Sequence, residues 1–310
     1  MLDLLFWHNY CNVTSKYLLK VMIKKRPTIA IIYDFDGTLS PRNMQEFGFI
    51  NSIGKDNINF WSSVKDLSTK NDASEILCYM FQMIKEAKYN DIKLTKESFH
   101  NFGKQVTFFK GVKKWFSLIN NEGKKCGLEI KHYINSSGLR EMIEGTDIAD
   151  QFENIYASSY LYDVNGVAEW PAVAIDYTAK TQFIFKINKG IKEVSDNKKI
   201  NEFIPVKDRP IPFEHMIYIG DGETDIPCMK MIKEHGGHSI AVYGNNKKFE
   251  TAKKLIAEDR VNFICKADYQ EDKDIYKVVK RILQKIKADY DFNRLLEFHK
   301  NKALCNVQNI

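Results

Sequence analysis

The segment IIYDFDGTLS, residues 31–40, sets an apolar run against two aspartates one residue apart, followed by Gly37 and Thr38. Two carboxylates that close repel one another, so their placement at a strand end needs a reason. The run TIAIIY, residues 28–33, is short, apolar and rich in β-branched residues. This is the pattern of a parallel strand buried on both faces. Four further runs read the same way: residues 128–134 (LEIKHYI), 215–219 (HMIYI), 239–243 (SIAVY) and 261–265 (VNFIC).

Helical periodicity lies between these runs. Val112, Trp115, Phe116 and Ile119 follow the i, i+3, i+4, i+7 spacing, with Gly123 in a C-cap position. Ile275, Val278, Val279, Ile282 and Ile286 repeat the pattern near the C-terminus. Strands alternating with helices predict an α/β fold, a doubly wound, Rossmann-like parallel sheet. Two segments depart from the alternation. Residues 41–108 are helical in pattern throughout and read as an inserted module, with Asp72 and Glu75 as a capping box for one of its helices. Residues 153–175 carry Asn165-Gly166 between strand-like runs, the signature of a hairpin with a type I′ turn.

In an open α/β sheet, ligands bind at the carboxyl ends of the strands. The first run is followed by Asp34, Asp36, Gly37 and Thr38. The second is followed by Asn135, Ser136, Ser137 and Gly138. The third is followed by GDGETD, residues 220–225, which holds Asp221 and Asp225. Between the last two lies DYTAKTQFIFK, with Lys180 near a helix start. Each feature alone has a plain structural reading: aspartates start turns, serines cap helices, and lysines cover surfaces. Together they gather four acids, two hydroxyls and an ammonium at one sheet edge. A hard divalent cation resolves the conflict among the acids, and Mg²⁺ favours one or two carboxylates together with water and phosphate oxygens.

The set DFDGT, NSSG, a lysine and GDGETD, in this order, resembles the four motifs of the haloacid dehalogenase (HAD) superfamily of phosphohydrolases. Its spacing is similar to the phosphoserine-phosphatase-like branch, in which a helical cap is inserted between the first two motifs. The resemblance spans roughly residues 26–290. It implies a HAD-like core from residues 22–40 and 109–290, a helical cap from 41–108, and a C-terminal tail from 291–310. It further implies Asp34 as nucleophile toward phosphorus and Asp36 as the acid and base for the leaving oxygen and the water. Mg²⁺ would be held by Asp34, the backbone carbonyl of Asp36, and Asp221. Asp225 would support this group from behind, and Thr38 would orient the loop. Ser136 would bind a phosphoryl oxygen with Ser137 beside it, helped by a backbone N–H at the following helix start. Lys180 would neutralise charge at Asp34 and the phosphate. Lys186 and Lys189 compete for that role on the same helix, but Lys180 lies nearest its N-terminal end. Residues 190–212, rich in Lys, Asn and Pro, read as a surface insertion.

The acidic residue that meets the substrate's amino group in phosphoserine phosphatases falls, by spacing, on Asn43. Glu46 is the nearest acid, which sets phosphoserine itself apart from the expected substrate. Arg42 and Asn43 read as facing a polar or anionic group or as solvated, and Phe60 and Trp61 read first as buried packing and second as pocket walls. The expectation is a Mg²⁺-dependent phosphomonoesterase acting on a small phosphorylated metabolite. A phosphotransferase or mutase using the same aspartyl-phosphate is the alternative within enzymes. A silent phosphate-binding module is the alternative outside them, and the intact acids and Lys180 argue against it.

The 310 residues are 44% hydrophobic and 28% charged, a globular composition. The net charge of +6 is spread along the chain. It forms no basic block of the kind that binds nucleic acid, and no apolar run approaches membrane-spanning length. The six cysteines, Cys11, Cys78, Cys126, Cys228, Cys265 and Cys305, form no C-x-x-C pair. Scattered single cysteines predict reduced thiols and a cytoplasmic protein. The sequons at Asn12 and Asn135 read as accidental, the second because it lies in the expected site. Residues 1–21 precede a second methionine, Met22, and read as a dispensable extension or a mis-called start.

Overall fold

The computed structural model describes residues 26–307. The extension at residues 1–21, Met22, Cys11 and the Asn12 sequon lie outside the described residues. The order of the principal elements is β1 (Thr28–Tyr33), α1 (Asn57–Asn71), α2 (Glu75–Tyr89), α3 (Lys96–Gly103), α4 (Val112–Lys125), β2 (Glu129–Leu139), β3 (Asn154–Tyr162) and β4 (Ala168–Val173). Then come α5 (Ala179–Lys189), β5 (Met216–Gly220), α6 (Ile226–Glu234), β6 (His238–Tyr243), α7 (Asn246–Ala257), β7 (Phe263–Lys266) and α8 (Asp274–Val307).

The seven strands form one sheet in the order β4-β3-β2-β1-β5-β6-β7. β1 lies at the centre, parallel to both β2 and β5, and only the edge strand β4 runs antiparallel, against β3. Burial on both faces results from the strand's alternation. Ile29, Ile31 and Tyr33 face one apolar cluster with Trp115, Phe116 and Ile119 of α4 and Val279 and Ile282 of α8. Ala30 and Ile32 face the other, with Phe183 and Ile187 of α5, Met229 of α6 and Leu255 of α7. This is the doubly wound α/β arrangement the apolar runs predict.

Residues 41–108 hold α1, α2, α3 and a one-turn helix at Phe49–Ser52. Their buried side chains, among them Phe60, Met80 and Phe99, join the first apolar cluster rather than forming one of their own. Two glycines bring α3 against the short helix Arg140–Glu144. A Cβ on Gly103 would stand 2.1 Å from the Met142 carbonyl oxygen, and one on Gly145 would stand 2.3 Å from that of His100.

Several local expectations are corrected. Asp72 and Glu75 form no capping box: Asp72 ends α1 in the left-handed region (φ 48°), and Ser74 is the N-cap of α2. Asp is among the few non-glycine residues that take this conformation readily. The capping box of the module belongs to Thr95 and Ser98 at α3. Gly123 is buried inside α4, which ends at Cys126, and Gly127 takes the left-handed position (φ 69°) after it. The hairpin forms, but not with a type I′ turn. Of Asn165 and Gly166 only Gly166 has positive φ, and Asp163 and Val167 close a three-residue loop, a geometry that pairs an ordinary turn with a left-handed glycine. Residues 291–307, read as a tail, continue α8, with Phe292, Leu295 and Phe298 exposed.

Candidate active site

The carboxyl ends of β1, β2 and β5 converge beside a cavity of about 750 Å³, lined among others by Asp34, Asp36, Ser136, Ser137, Lys180 and Asp221. Asp34 leaves β1 in line with the sheet, its backbone N–H donating to the Ile219 carbonyl of β5 at 2.9 Å. One turn later the chain reverses: the N–H groups of Thr38, Leu39 and Ser40 all donate to the Phe35 carbonyl. Gly37 permits this reversal, with φ at 80°, and a Cβ there would lie 2.2 Å from Asp221 Oδ2. Thr38 is buried, and its hydroxyl lies 3.5 Å from Asp221 Oδ1. Gly37→Ala should therefore drive Asp221 off its position as well as strain the turn. If Asp221 holds Mg²⁺, binding should weaken at least about tenfold by titration calorimetry, since this carboxylate and not the helix framework is disturbed.

Ser136 and Ser137 sit in an irregularity of β2. Between the pairs Asn135–Tyr156 and Leu139–Ser158, β2 has three residues where β3 has one. Such a bulge re-aims side chains at a strand end. Neither serine is a helix N-cap. That position is taken by Leu139, without a side-chain bond, and Ser136 Oγ instead accepts from the Gly138 N–H at 3.1 Å, which leaves its hydroxyl proton free to donate. Ser137 Oγ is buried with no partner among the described residues. Both serines line the cavity, and a serine hydroxyl can donate to a phosphoryl oxygen. Asn135 is fully buried, where a glycan has no room.

Lys180 opens α5 and is fully buried. Its Nζ donates to Asp34 Oδ1 at 2.8 Å and to Asp225 Oδ1 at 2.7 Å, joining residues 146 and 45 positions away. Burial pulls its pKa down, but the charges of Asp225 and Asp34 outweigh this and hold the ammonium firmly protonated. The competing lysines have other work. Lys186 Nζ donates to the carbonyls of Glu193 and Asp196, and Lys189 Nζ to those of Ile200 and Glu202. Both tie down the insertion at residues 190–212.

The acids are not equivalent. Burial and the charge of Asp225 push Asp34 up to about 7, against the opposing pull of Lys180. Burial, then the charge of Asp34, raise Asp36 well above the carboxylate range. Its Oδ1 accepts from the Met44 N–H at 2.9 Å, which leaves Oδ2 to carry a proton. Asp225 is saturated: Oδ1 accepts from Lys180 and from the Tyr218 hydroxyl at 2.8 Å, and Oδ2 from the Gly222 N–H at 3.3 Å. It therefore braces the site from behind. Burial raises Asp221, and Lys248 opposes that shift.

The donors present suit a hard cation. Oxygens of Asp34, Asp221 and Asp225 come within 4.8 Å of one another, all buried. Lys180 occupies one oxygen of Asp34 and leaves the other, and no hydrogen bond among the described residues ends on the Asp36 carbonyl. Two carboxylates and one carbonyl, with room for water and phosphate oxygen, is a donor set of the kind Mg²⁺ takes.

On the far side of the cavity, Glu46 accepts from Asn43 Nδ2 at 3.1 Å, from Trp61 Nε1 at 2.9 Å and from Asn57 Nδ2 at 3.4 Å. Asn43 is thus turned toward Glu46. Arg42 lies over the Phe47 ring at 4.4 Å. Trp61 lines the cavity, whereas Phe60 is core, packed edge-on against Phe49 and Trp61. Lys247 and Lys248 also line the cavity, although no sequence motif singles them out. The signal that could have found them is their position just after SIAVY, at the carboxyl end of a strand like the other site residues.

The fold is similar to that of a haloacid dehalogenase family hydrolase and of phosphoserine phosphatases of known structure. The chain superposes on a substrate-bound phosphoserine phosphatase with a TM-score of 0.51, at 16% identity, over 83% of this chain and 99% of that one. It is similar to a HAD family hydrolase of Salmonella enterica serovar Typhi with a TM-score of 0.50, at 16% identity, over 77% and 67% of the two chains. A phosphoserine phosphatase carrying a phospho-aspartyl intermediate analogue gives 0.50, at 15% identity, over 83% and 99%. In sequence, the chain belongs to one family with an uncharacterized protein of Borreliella burgdorferi, 32% identical over 282 residues, covering 82% of this chain and 96% of that one. No protein-family model matches it. Among the described residues, no helix is long and apolar enough to cross a membrane, and Cys78, Cys126, Cys228 and Cys265 are all free.

Proposed function

We propose that the protein is a Mg²⁺-dependent phosphomonoester hydrolase that passes its phosphoryl group through Asp34, acting on a small phosphorylated metabolite. The observation that carries this reading is the buried Lys180 held between Asp34 and Asp225 at the head of the cavity. An ammonium there fixes the rotamer of Asp34 and adds positive charge where a phosphate would arrive.

In this reading, residues 41–108 act as a cap over the HAD-like core and enclose the leaving group. One oxygen of the Asp34 carboxylate attacks phosphorus, forming the aspartyl-phosphate as the ester oxygen departs, and the other remains for the cation. Asp36, with a raised pKa and Oδ1 fixed by Met44, donates its Oδ2 proton to that oxygen. It then takes a proton from the water that opens the acyl-phosphate. Ser136 and Ser137 donate to the transferring oxygens, and Asp225 holds Lys180 in place. Asp34, the Asp36 carbonyl and Asp221 would hold Mg²⁺, which when bound neutralises phosphoryl charge. A phosphoserine phosphatase with a phospho-aspartyl intermediate analogue shares the fold and supports the assignment. A screen of phosphorylated metabolites with and without Mg²⁺ tests it. Phosphate release from at least one compound, lost on chelation, is expected. Release that persists at full rate in excess chelator would refute the metal-dependent mechanism.

A further inference from the structure

The acid cluster contains two ammonium groups that differ in how they are held. Lys180 is fully buried and bound to two carboxylates. Lys248, in the first turn of α7, has one partner: its Nζ lies 2.7 Å from Asp221 Oδ2, and its side chain is 44% exposed while that of Asp221 is 5% exposed. The backbone beneath it is pinned, because Asn245 caps α7 by accepting from the Lys248 N–H at 3.0 Å. The long side chain above that pinned point is free to swing into the cavity it lines. Apart from this ion pair, the Asp221 carboxylate has one hydrogen bond among the described residues, the long Thr38 bond of 3.5 Å to Oδ1. Lys248 thus covers an oxygen of a carboxylate that the proposed function assigns to a divalent cation.

We propose that Lys248 is a placeholder cation. It neutralises Asp221 while the divalent ion is away, yields that oxygen when the ion enters, and then turns toward the cavity beside Lys247, adding positive charge where an anionic substrate lies. The inference rests on the metal assignment made above, but not on the phosphatase reaction. A buried carboxylate among other acids is costly without a counter-charge, and a half-exposed lysine supplies one that a stronger cation can replace. Lys180, held by two carboxylates and the Thr224 hydroxyl with no exposure, cannot be exchanged in this way.

The test is Mg²⁺ binding to the full-length protein without substrate, by titration calorimetry, on wild type, Lys248→Met, Lys248→Arg and Lys247→Met. A competitor for Asp221 is removed in Lys248→Met, so its Mg²⁺ should bind about two- to fivefold tighter, in line with a half-exposed ion pair. The rise in melting temperature on adding saturating Mg²⁺ should be larger than in wild type, because the metal-free form has lost its counter-charge. Lys248→Arg should keep the wild-type affinity or weaken it, and Lys247→Met should leave it unchanged. Weaker binding in Lys248→Met would make Lys248 a positioning residue for Asp221 and overturn the proposal, as would an unchanged affinity. A wild type that binds Mg²⁺ yet releases no phosphate from any substrate would remove the phosphatase reading alone. A wild type that binds no Mg²⁺ would remove both.

Discussion

On the proposed mechanism, Asp34→Asn should abolish phosphate release, by about 10⁴-fold or more, since the step it removes is the covalent one and the other residues bind, orient or move protons without bonding to phosphorus. Asparagine keeps an oxygen for the Lys180 ammonium, so the variant should fold. Its stability should also respond to pH in a particular direction. Asp34 holds its proton up to about 7 in the folded chain, against about 4 for an ordinary aspartate. The raised value means that the folded form binds the proton more tightly than the unfolded one. Ionisation of Asp34 therefore removes stability as pH rises between those values. Without Mg²⁺, Asp34→Asn should melt no lower than wild type at pH 8, and its advantage should shrink toward pH 4. Beryllium fluoride, a mimic of the acyl-phosphate, should bind wild type and not the variant by fluorine NMR. Undiminished turnover in Asp34→Asn would end the nucleophile assignment.

Lys180→Met should do the most damage to the fold. It keeps the unbranched side chain to one atom short of the ammonium and removes the one charge shared by Asp34 and Asp225. The loss should be about 3–5 kcal/mol, the usual penalty for leaving a buried charge unpaired. The sign with pH is again fixed. Asp34, already raised in the folded chain, loses the pull of Lys180 that opposes the rise, so the penalty should be larger at pH 8 than at pH 5. Saturating Mg²⁺ should recover part of it. A melt of Lys180→Met that tracks wild type across this range would show that the two buried ion pairs contribute nothing. Activity should also fall by about 10²-fold or more, since the charge that faces the phosphate is gone.

The central strands were legible because parallel strands buried on both faces are continuous apolar runs, and the acids after them stand out by contrast. Lys180 was legible only through its place at a helix start, since Lys186 has the same local surroundings in sequence. What separates them is three-dimensional: the first turn of α5 faces the β1 and β5 ends, and the second faces the insertion at residues 190–212. Asp72 misled because the signal for a helix start and the tolerance for a left-handed helix end occur in the same residue type. The bulge that turns Ser136 and Ser137 is set by pairing with β3, which no local pattern reports. Lys248 is one of many lysines, and its partner Asp221 lies far off in the sequence, just past the end of β5.

The apolar cluster that begins at Ile29 of β1 passes through Met80 of α2 and reaches Val279 of α8 without a break. Residues 41–108 therefore borrow their interior from the sheet they cover. At Gly103 and Gly145 the two parts touch backbone to backbone, with no room for a side chain between them. If residues 41–108 act as the proposed cap, lifting them whole would wet both the module and the sheet beneath it, so exposed lining side chains such as Arg42, Tyr177 and Lys247 would be the parts that move to admit a substrate.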